Sequence, residues 1–169
     1  MQLNFFLVAA IAAIVPLLVG FIWYHPSVFG NAWMKVAGVD ETKMKEANMP
    51  LIFIITFVLS YLISFPLTGV VIHQMGIFGM FNHHLTEAPT QKLIADAFAI
   101  AGNDFRTFKH GALHGAIVGI GIALPIVAVT AMFERKGFKY IAINAGYWIL
   151  SLLLMGGILC QFVDLKSFG

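Results

Sequence analysis

Apolar stretches and short polar connections alternate along this chain. Four windows of about 20 mostly apolar residues stand out, over residues 3–24, 51–73, 110–133 and 140–163. A helix of this length crosses a bilayer, because lipid offers no partners to backbone N–H and C=O groups. The pattern predicts an all-α fold, an integral membrane four-helix bundle forming one four-span domain over residues 1–169. The first window lacks the basic start of a signal peptide, so we expect it to be retained.

The polar connections predict short helices at the membrane surface. The first connection turns polar at DETKMKEANMP, where Asp40 suits the N-cap of a helix. The longest connection, residues 75–109, contains TQKLIADAFAIAG, whose apolar positions recur at helical spacing. We therefore expect an amphipathic helix lying in the interface. The third connection, ERKGFK, is short and makes the last two spans a hairpin.

Basic residues near the span ends predict the orientation, because cytoplasmic connections are enriched in Lys and Arg. The first and third connections share one side of the membrane and contain six of these residues, whereas the other side contains four. The excess favours these two connections in the cytoplasm and both termini outside. The two sets are Lys35, Lys43, Lys45, Arg135, Lys136 and Lys139 against Lys92, Arg106, Lys109 and Lys166.

The composition is too hydrophobic for a soluble domain and requires lipid as a partner. Hydrophobic residues make up 60% of the chain and charged residues 11%, with a mean hydropathy of +0.89. Soluble domains are about 45–50% apolar and about 25% charged. The net charge is +2 and the basic residues are scattered, so we expect no nucleic-acid partner. Cys160 is the only cysteine, which excludes a disulfide framework and a cysteine-based zinc motif.

Aromatic side chains cluster just after the first span, in GFIWYHPSVFGNAWMK. Trp and Tyr concentrate at membrane interfaces, where the ring is buried and its polar edge meets water. We therefore interpret Trp23, Tyr24 and Trp33 as interfacial anchors. The alternative is an aromatic-lined pocket that uses His25. Pro26 ends the span and Gly30 permits a tight turn back toward the membrane.

The same stretch resembles the signature of a family of bacterial membrane proteins known as domain of unknown function 1761. That signature is a glycine, a Trp-Tyr pair, then Phe-Gly and Trp-Met after the first span. The resemblance continues in LHGAIVGIGIALP and INAGYWILSLLLMGGILCQF and covers nearly the whole chain. It implies the four-span layout and a multi-pass protein of the bacterial inner (cytoplasmic) membrane. It implies no activity.

Small residues recur every four positions in the third span, at Gly111, Gly115 and Gly119. Such a stripe lets another helix approach closely in lipid. We expect it to serve helix packing within one subunit. Homodimerisation through this face is the alternative.

Histidines gather on one side of the predicted bundle. His110 and His114 are four residues apart and project from one side of the third span, a spacing that can chelate a metal ion. The topology places five of the six histidines on one face, with His25 on the other. Imidazole and carboxylate donors suit zinc, copper or iron, and axial histidines can hold haem. The candidate ligands on this face are His73, His83, His84, His110 and His114, with Glu87 and Asp164.

Among these candidates we rank His110, His114 and His73 first, because span ends hold side chains more rigidly than a loop does. Two other interpretations stay open. The histidines are plain interfacial side chains, solvated or bonded to the backbone, or they sense protons near neutral pH.

No pattern in the chain indicates a catalytic apparatus. Ser60 and Ser64 lie in mid-span without an acid or a histidine beside them, and we expect them to bond to carbonyl groups. Asn144 is expected to make a hydrogen bond between helices. The sequence therefore favours a non-catalytic membrane component or accessory subunit, in a homo-oligomer or a larger membrane complex. The alternative is a binder or carrier of a metal, haem or small apolar ligand through the histidine-rich face.

Overall fold

Helices form wherever the apolar windows lie, and three of the four spans begin after a side chain that caps them. In the computed structural model, which describes residues 2–168, Asn4, Asn48 and Thr107 each accept a backbone N–H in the first turn of a span. The helices in chain order are α1 (Phe5–Trp23), α2 (Asn31–Ala37), α3 (Glu41–Glu46), α4 (Met49–Val71), α5 (Met75–Met80), α6 (Ala88–Ala101), α7 (Phe108–Val118), α8 (Leu124–Phe133) and α9 (Phe138–Phe162).

Four of these segments are long and apolar enough to cross a membrane. They are α1, α4, the continuous segment Phe108–Phe133 that joins α7 to α8, and α9. Their ends lie within two residues of the windows expected from the sequence. The prediction of an all-α membrane bundle of four helices is confirmed.

The two outer spans of the sequence form the interior of the bundle. In the most apolar stretch of α1 and of α9, 44% of residues are buried, against 22% in α4 and 11% in the third span. Val8, Met155 and Leu159 are fully buried between them. The second and third spans therefore present most of their apolar surface to lipid.

The third span is interrupted by one wide π-helical turn, Gly119–Ala123. Pro125 follows in the first turn of α8. Proline lacks the N–H that would continue the α-helical ladder, so a locally altered turn precedes it. The interruption separates α7, which carries the glycine stripe and two histidines, from the plain apolar α8.

The glycine stripe lies against α9 of the same chain. A Cβ atom added to Gly111 would lie 2.2 Å from the Gly156 carbonyl oxygen, and one added to Gly115 would lie 2.1 Å from that of Leu152. At Gly119 it would lie 2.7 Å from the Ile149 Cα. Backbone meets backbone along this contact, which only glycine permits. The face is covered within the chain and is not free for a second copy.

The beginning and the end of the bundle meet on one side. Leu3 and Val163 form an isolated parallel bridge, in which the Leu3 N–H donates to Phe162 and the Leu3 carbonyl accepts from Asp164. This side also contains the end of α4 and the start of α7, as an even number of spans requires. The histidine-rich face is therefore one end of the bundle.

The surface helices form where the sequence predicts them. The Asp40 carboxylate accepts the Lys43 N–H at 2.9 Å and caps α3. The amphipathic helix α6 turns Ile94 and Phe98 toward the protein, and both side chains are half-buried. A helix is confirmed in each of these two connections.

Candidate metal site

Three histidine side chains converge at the end of the bundle where the chain termini meet. His73 lies just beyond the end of α4, and His110 and His114 lie on successive turns of α7. The Nε2 atom of His73 is 3.1 Å from that of His110 and 3.3 Å from that of His114. The ligand atoms of all three lie within 4.8 Å of one another. We refer to His73, His110 and His114 as the histidine cluster.

Local contacts position the first turn of α7, which carries His110. The Thr107 hydroxyl accepts the His110 N–H at 3.2 Å, and the Gln161 side chain accepts the Phe108 N–H at 3.2 Å. These contacts cap the helix and tie its first turn to α9. The i, i+4 spacing then places the His114 ring directly beyond the His110 ring, with centroids 4.5 Å apart.

Protons alone do not satisfy this arrangement well. Each imidazole nitrogen carries either one proton or one lone pair in the ring plane, so it makes one good hydrogen bond. The Nε2 atom of His73 nevertheless faces two other Nε2 atoms. A cation at their centre accepts three lone pairs at once.

The nitrogen separations match those around a small metal ion. Ligands at the usual zinc–nitrogen distance of about 2.0–2.1 Å, arranged tetrahedrally, lie about 3.3–3.4 Å apart. The two Nε2–Nε2 separations from His73, 3.1 and 3.3 Å, fall close to that value. Among residues 2–168, these three histidines form the only group of at least three His, Cys, Asp or Glu side chains close enough to share an ion.

Phe105 flanks the histidine cluster. Its ring centroid lies 5.1 Å from that of His110 and 5.7 Å from that of His73. The residue has φ = 60°, in the left-handed region that a bulky side chain rarely adopts. Backbone strain of this kind costs about 1–3 kcal/mol and persists only where neighbouring contacts impose it.

Gln74, the neighbour of His73, provides one such constraint. Its side-chain amide donates to the Ala101 carbonyl at 2.8 Å and to the Asp104 carbonyl at 2.9 Å. The turn before Phe105 is thereby attached to the segment that carries His73.

Arg106 provides the second constraint. Its Nε donates to the Cys160 carbonyl at 2.7 Å and its Nη2 donates to the Val163 carbonyl, so it satisfies the open end of α9. Burial lowers the pKa of its guanidinium, against the opposing effects of Cys160 and Asp164, and the group keeps its charge. The Cys160 thiol also donates to the Phe105 carbonyl at 3.4 Å.

The other predicted ligands lie apart from the cluster. His84 pairs with Glu87 at 2.7 Å in an exposed contact, and His83 is exposed in the same connection. The Asp164 carboxylate accepts the Lys166 N–H at 3.0 Å and borders a cavity of about 410 Å³ beside α6. The structure therefore gathers the three histidines at span ends and leaves the loop and C-terminal candidates outside.

The aromatic stretch after α1 packs against the opposite end of α9. The Trp23 indole donates to the Ile143 carbonyl at 3.0 Å, and the Tyr24 hydroxyl donates to the Asn144 side chain at 3.1 Å. Burial, with Tyr147 and Tyr140 nearby, raises the pKa of the Tyr24 phenol far above its ordinary value, so it stays a donor. These contacts attach the first span to the fourth.

Trp33 and His25 complete this end of the bundle. The Trp33 ring packs edge-on against Tyr24, with centroids 5.3 Å apart. The exposed His25 ring accepts the Ser27 N–H at 3.2 Å, which uses it locally. A Cβ atom on Gly30 would lie 2.3 Å from the Tyr24 carbonyl oxygen, so the return turn requires glycine. We refer to Trp23, Tyr24, Trp33 and Asn144 as the aromatic end.

The sequence profile of the family described as protein of unknown function DUF1761 matches residues 7–160. The chain belongs to this family. The match takes in the aromatic stretch, the glycine stripe and all three members of the histidine cluster. No curated protein and no solved structure matches the chain.

Sequence reasoning missed the residues that frame the cluster in this family member. Arg106 entered only as one charge in the orientation count, and Phe105 and Gln74 not at all. The signal that was available is an arginine two residues before a span, where it can reach the carbonyl groups of a neighbouring helix end. The positive φ of Phe105 leaves no trace in the residue type, since Phe does not favour it.

Proposed function

We propose that this chain is a multi-pass membrane protein that binds one divalent transition-metal ion through His73, His110 and His114. The observation that carries the proposal is the convergence of three Nε2 atoms at 3.1 and 3.3 Å. Three imidazoles without a carboxylate suit zinc, copper, iron or nickel and disfavour magnesium, calcium and manganese.

The same spacing argues against haem. Two axial histidines lie on opposite sides of the iron, so their nitrogens are about 4 Å apart with the macrocycle between them. The nitrogens of His110 and His114 lie 3.1 and 3.3 Å from that of His73, too close for either pair with His73 to be the axial ligands of one haem. A single ion is therefore the occupant that we propose.

The sequence alone favours a non-catalytic component. The histidine cluster favours the alternative instead, a membrane protein that binds a metal ion. Packing through the glycine stripe gives no reason for three imidazoles to meet. The exposed residues of α4 and of the third span are mostly apolar, so their proposed partner is the lipid bilayer. We place the cluster on the side of the chain termini, outside the cytoplasm of a bacterial inner membrane, as the basic residues favour.

Metal content tests the proposal directly. Protein purified in mild detergent without chelator is analysed by elemental mass spectrometry and by native mass spectrometry, which also reports the number of subunits. We expect about one equivalent of zinc or another late transition metal per chain. The His110→Ala, His114→Ala double variant is expected to lose it.

The matched control is the His83→Ala, His84→Ala double variant, which removes the same number of histidines from the exposed connection. It is expected to keep its metal. Equal metal content in both double variants, with helicity and elution volume unchanged, would contradict the proposal. A His73→Gln variant tests the ligand outside α7 separately.

Reporter fusions test the orientation. Alkaline phosphatase fused after residue 168 is expected to be active, and green fluorescent protein at the same position is expected to be dark. The opposite pattern would place the cluster in the cytoplasm without affecting metal binding.

A further inference from the structure

The donor inventory of the histidine cluster is incomplete for a metal ion. Tetrahedral zinc takes four ligands, and sites with three protein ligands keep a fourth position for water or substrate. Among residues 2–168, no fourth histidine, cysteine, aspartate or glutamate joins the group. The ring that flanks it, Phe105, has no donor atom.

The cluster is also accessible. His73 is exposed, and His110 and His114 are half-buried at the start of the third span rather than deep within it. His114 lies six residues after the first residue of α7, about 9 Å along the helix axis. A small molecule from the aqueous phase reaches this level without crossing the bundle.

The charge of the donor set selects the kind of ligand. Three neutral imidazoles leave the double positive charge of the ion uncompensated, and no carboxylate belongs to the cluster. The Phe105 ring lies beside His110 and His73 and offers them no polar contact. Where such a ring displaces water, the attraction between the ion and an anion is stronger.

We propose that the metal ion has an open coordination position that binds a small anionic ligand, with Phe105 as the apolar wall of that position. The ligand class is the monodentate anion, such as hydroxide, halide or azide. This inference rests on the proposed metal binding. It deepens that function by making the ion a reactive centre and not a closed structural one.

Cobalt(II) and sodium azide are the probes. Cobalt occupies zinc sites and its visible absorption reports the ligands around it. Cobalt-loaded protein is titrated with azide, and we expect a saturable change in the absorption band. The His84→Ala variant, altered outside the cluster, is expected to give the same titration as the wild type.

Two substitutions at residue 105 test the wall. Phe105→Ala removes the ring and is expected to keep cobalt but to weaken azide binding about tenfold, the lower end of effects seen around metal ligands. Phe105→Leu retains apolar bulk and is expected to restore most of that affinity. A role of Phe105 in folding alone would leave the azide titration unchanged in both variants.

The outcomes distinguish metal binding from the open coordination position. Cobalt binding with no spectral response to azide would overturn the open position and leave metal binding intact. No cobalt or zinc binding at all would overturn the proposed function and this inference together. Azide binding equal in wild type, Phe105→Ala and Phe105→Leu would remove Phe105 from the site.

Discussion

The two ends of this bundle contain similar ring side chains and use them differently. At the aromatic end, Trp23 and Tyr24 each donate to a group on α9, and Asn144 also donates to the Tyr140 carbonyl at 2.8 Å. At the other end, three imidazole nitrogens face one another and share too few hydrogen-bonding directions.

Hydrogen-bond partners distinguish structural polar groups from candidate binding groups in this membrane protein. Polar side chains in lipid are costly, so a satisfied set is explained by the fold alone. A convergent set of nitrogens that face one another is a candidate for binding an ion. Residue type and membrane depth do not distinguish the two ends, whereas partner geometry does.

Acidification is expected to have the largest effect, and it acts on the histidine cluster. Imidazole binds metal only when it is neutral, so protons compete with the ion for its ligands. Metal affinity should therefore fall as the pH is lowered from about 7.5 to about 5.5. Competition with a zinc indicator dye measures it. A pH-independent metal affinity would contradict the expectation.

A methyl group at Gly115 is expected to damage both ends, because it separates α7 from α9. The added Cβ would lie 2.1 Å from the Leu152 carbonyl oxygen, and overpacking of this severity costs about 3 kcal/mol. Denaturation in mixed micelles measures the loss for Gly115→Ala. Gly69→Ala is the matched control, since a Cβ there meets no atom within 4 Å and alanine favours the helix by about 1 kcal/mol. Equal stability of the two variants would place the stripe away from α9.

Removing one hydroxyl is expected to affect the aromatic end alone. Tyr24→Phe leaves the Asn144 side-chain oxygen without its donor, which costs about 1–2 kcal/mol. Metal content should stay the same. Tyr61→Phe is the control, because the Tyr61 hydroxyl has no hydrogen-bond partner among the described residues. A loss of metal in Tyr24→Phe would show that the two ends are coupled through α9.

Glycine at residue 105 gives the smallest expected change in stability, and its sign is the informative part. Phe105→Gly relieves the positive φ and should stabilise the metal-free fold by about 1 kcal/mol. It also removes the ring beside His73 and His110, so metal should be released to a chelator more rapidly. Thermal melts and stopped-flow release measure the two effects. A variant that is less stable, or that releases metal no faster than the wild type, would contradict the expectation.

The sequence is informative about the fold because lipid imposes a simple rule. A window of about 20 apolar residues has one stable form in a bilayer, so the spans follow from length and composition. Capping residues such as Asp40 are equally local. Which spans are buried does not follow from local sequence. Nothing in the apolar windows predicts that α1 and α9 form the core.

The histidine cluster is intermediate in this respect. The i, i+4 spacing of His110 and His114 is visible in the chain, and the topology places His73 on the same side. That His73 meets them while His83 and His84 do not depends on how the connection after α4 folds. The contacts of Gln74 and Arg106 that set Phe105 join residues far apart in sequence. Metal binding itself stays a prediction.

The left-handed backbone of Phe105 predicts which residues a selection at this position would enrich. A library randomised at residue 105 and sorted for folded protein alone should be enriched in Gly and Asn, the residues that accept this conformation most readily. The same library sorted for azide binding to the cobalt-loaded protein should return aromatic or large aliphatic residues. Comparing the enriched residues with the natural Phe105 would show whether this position has been selected for stability or for binding.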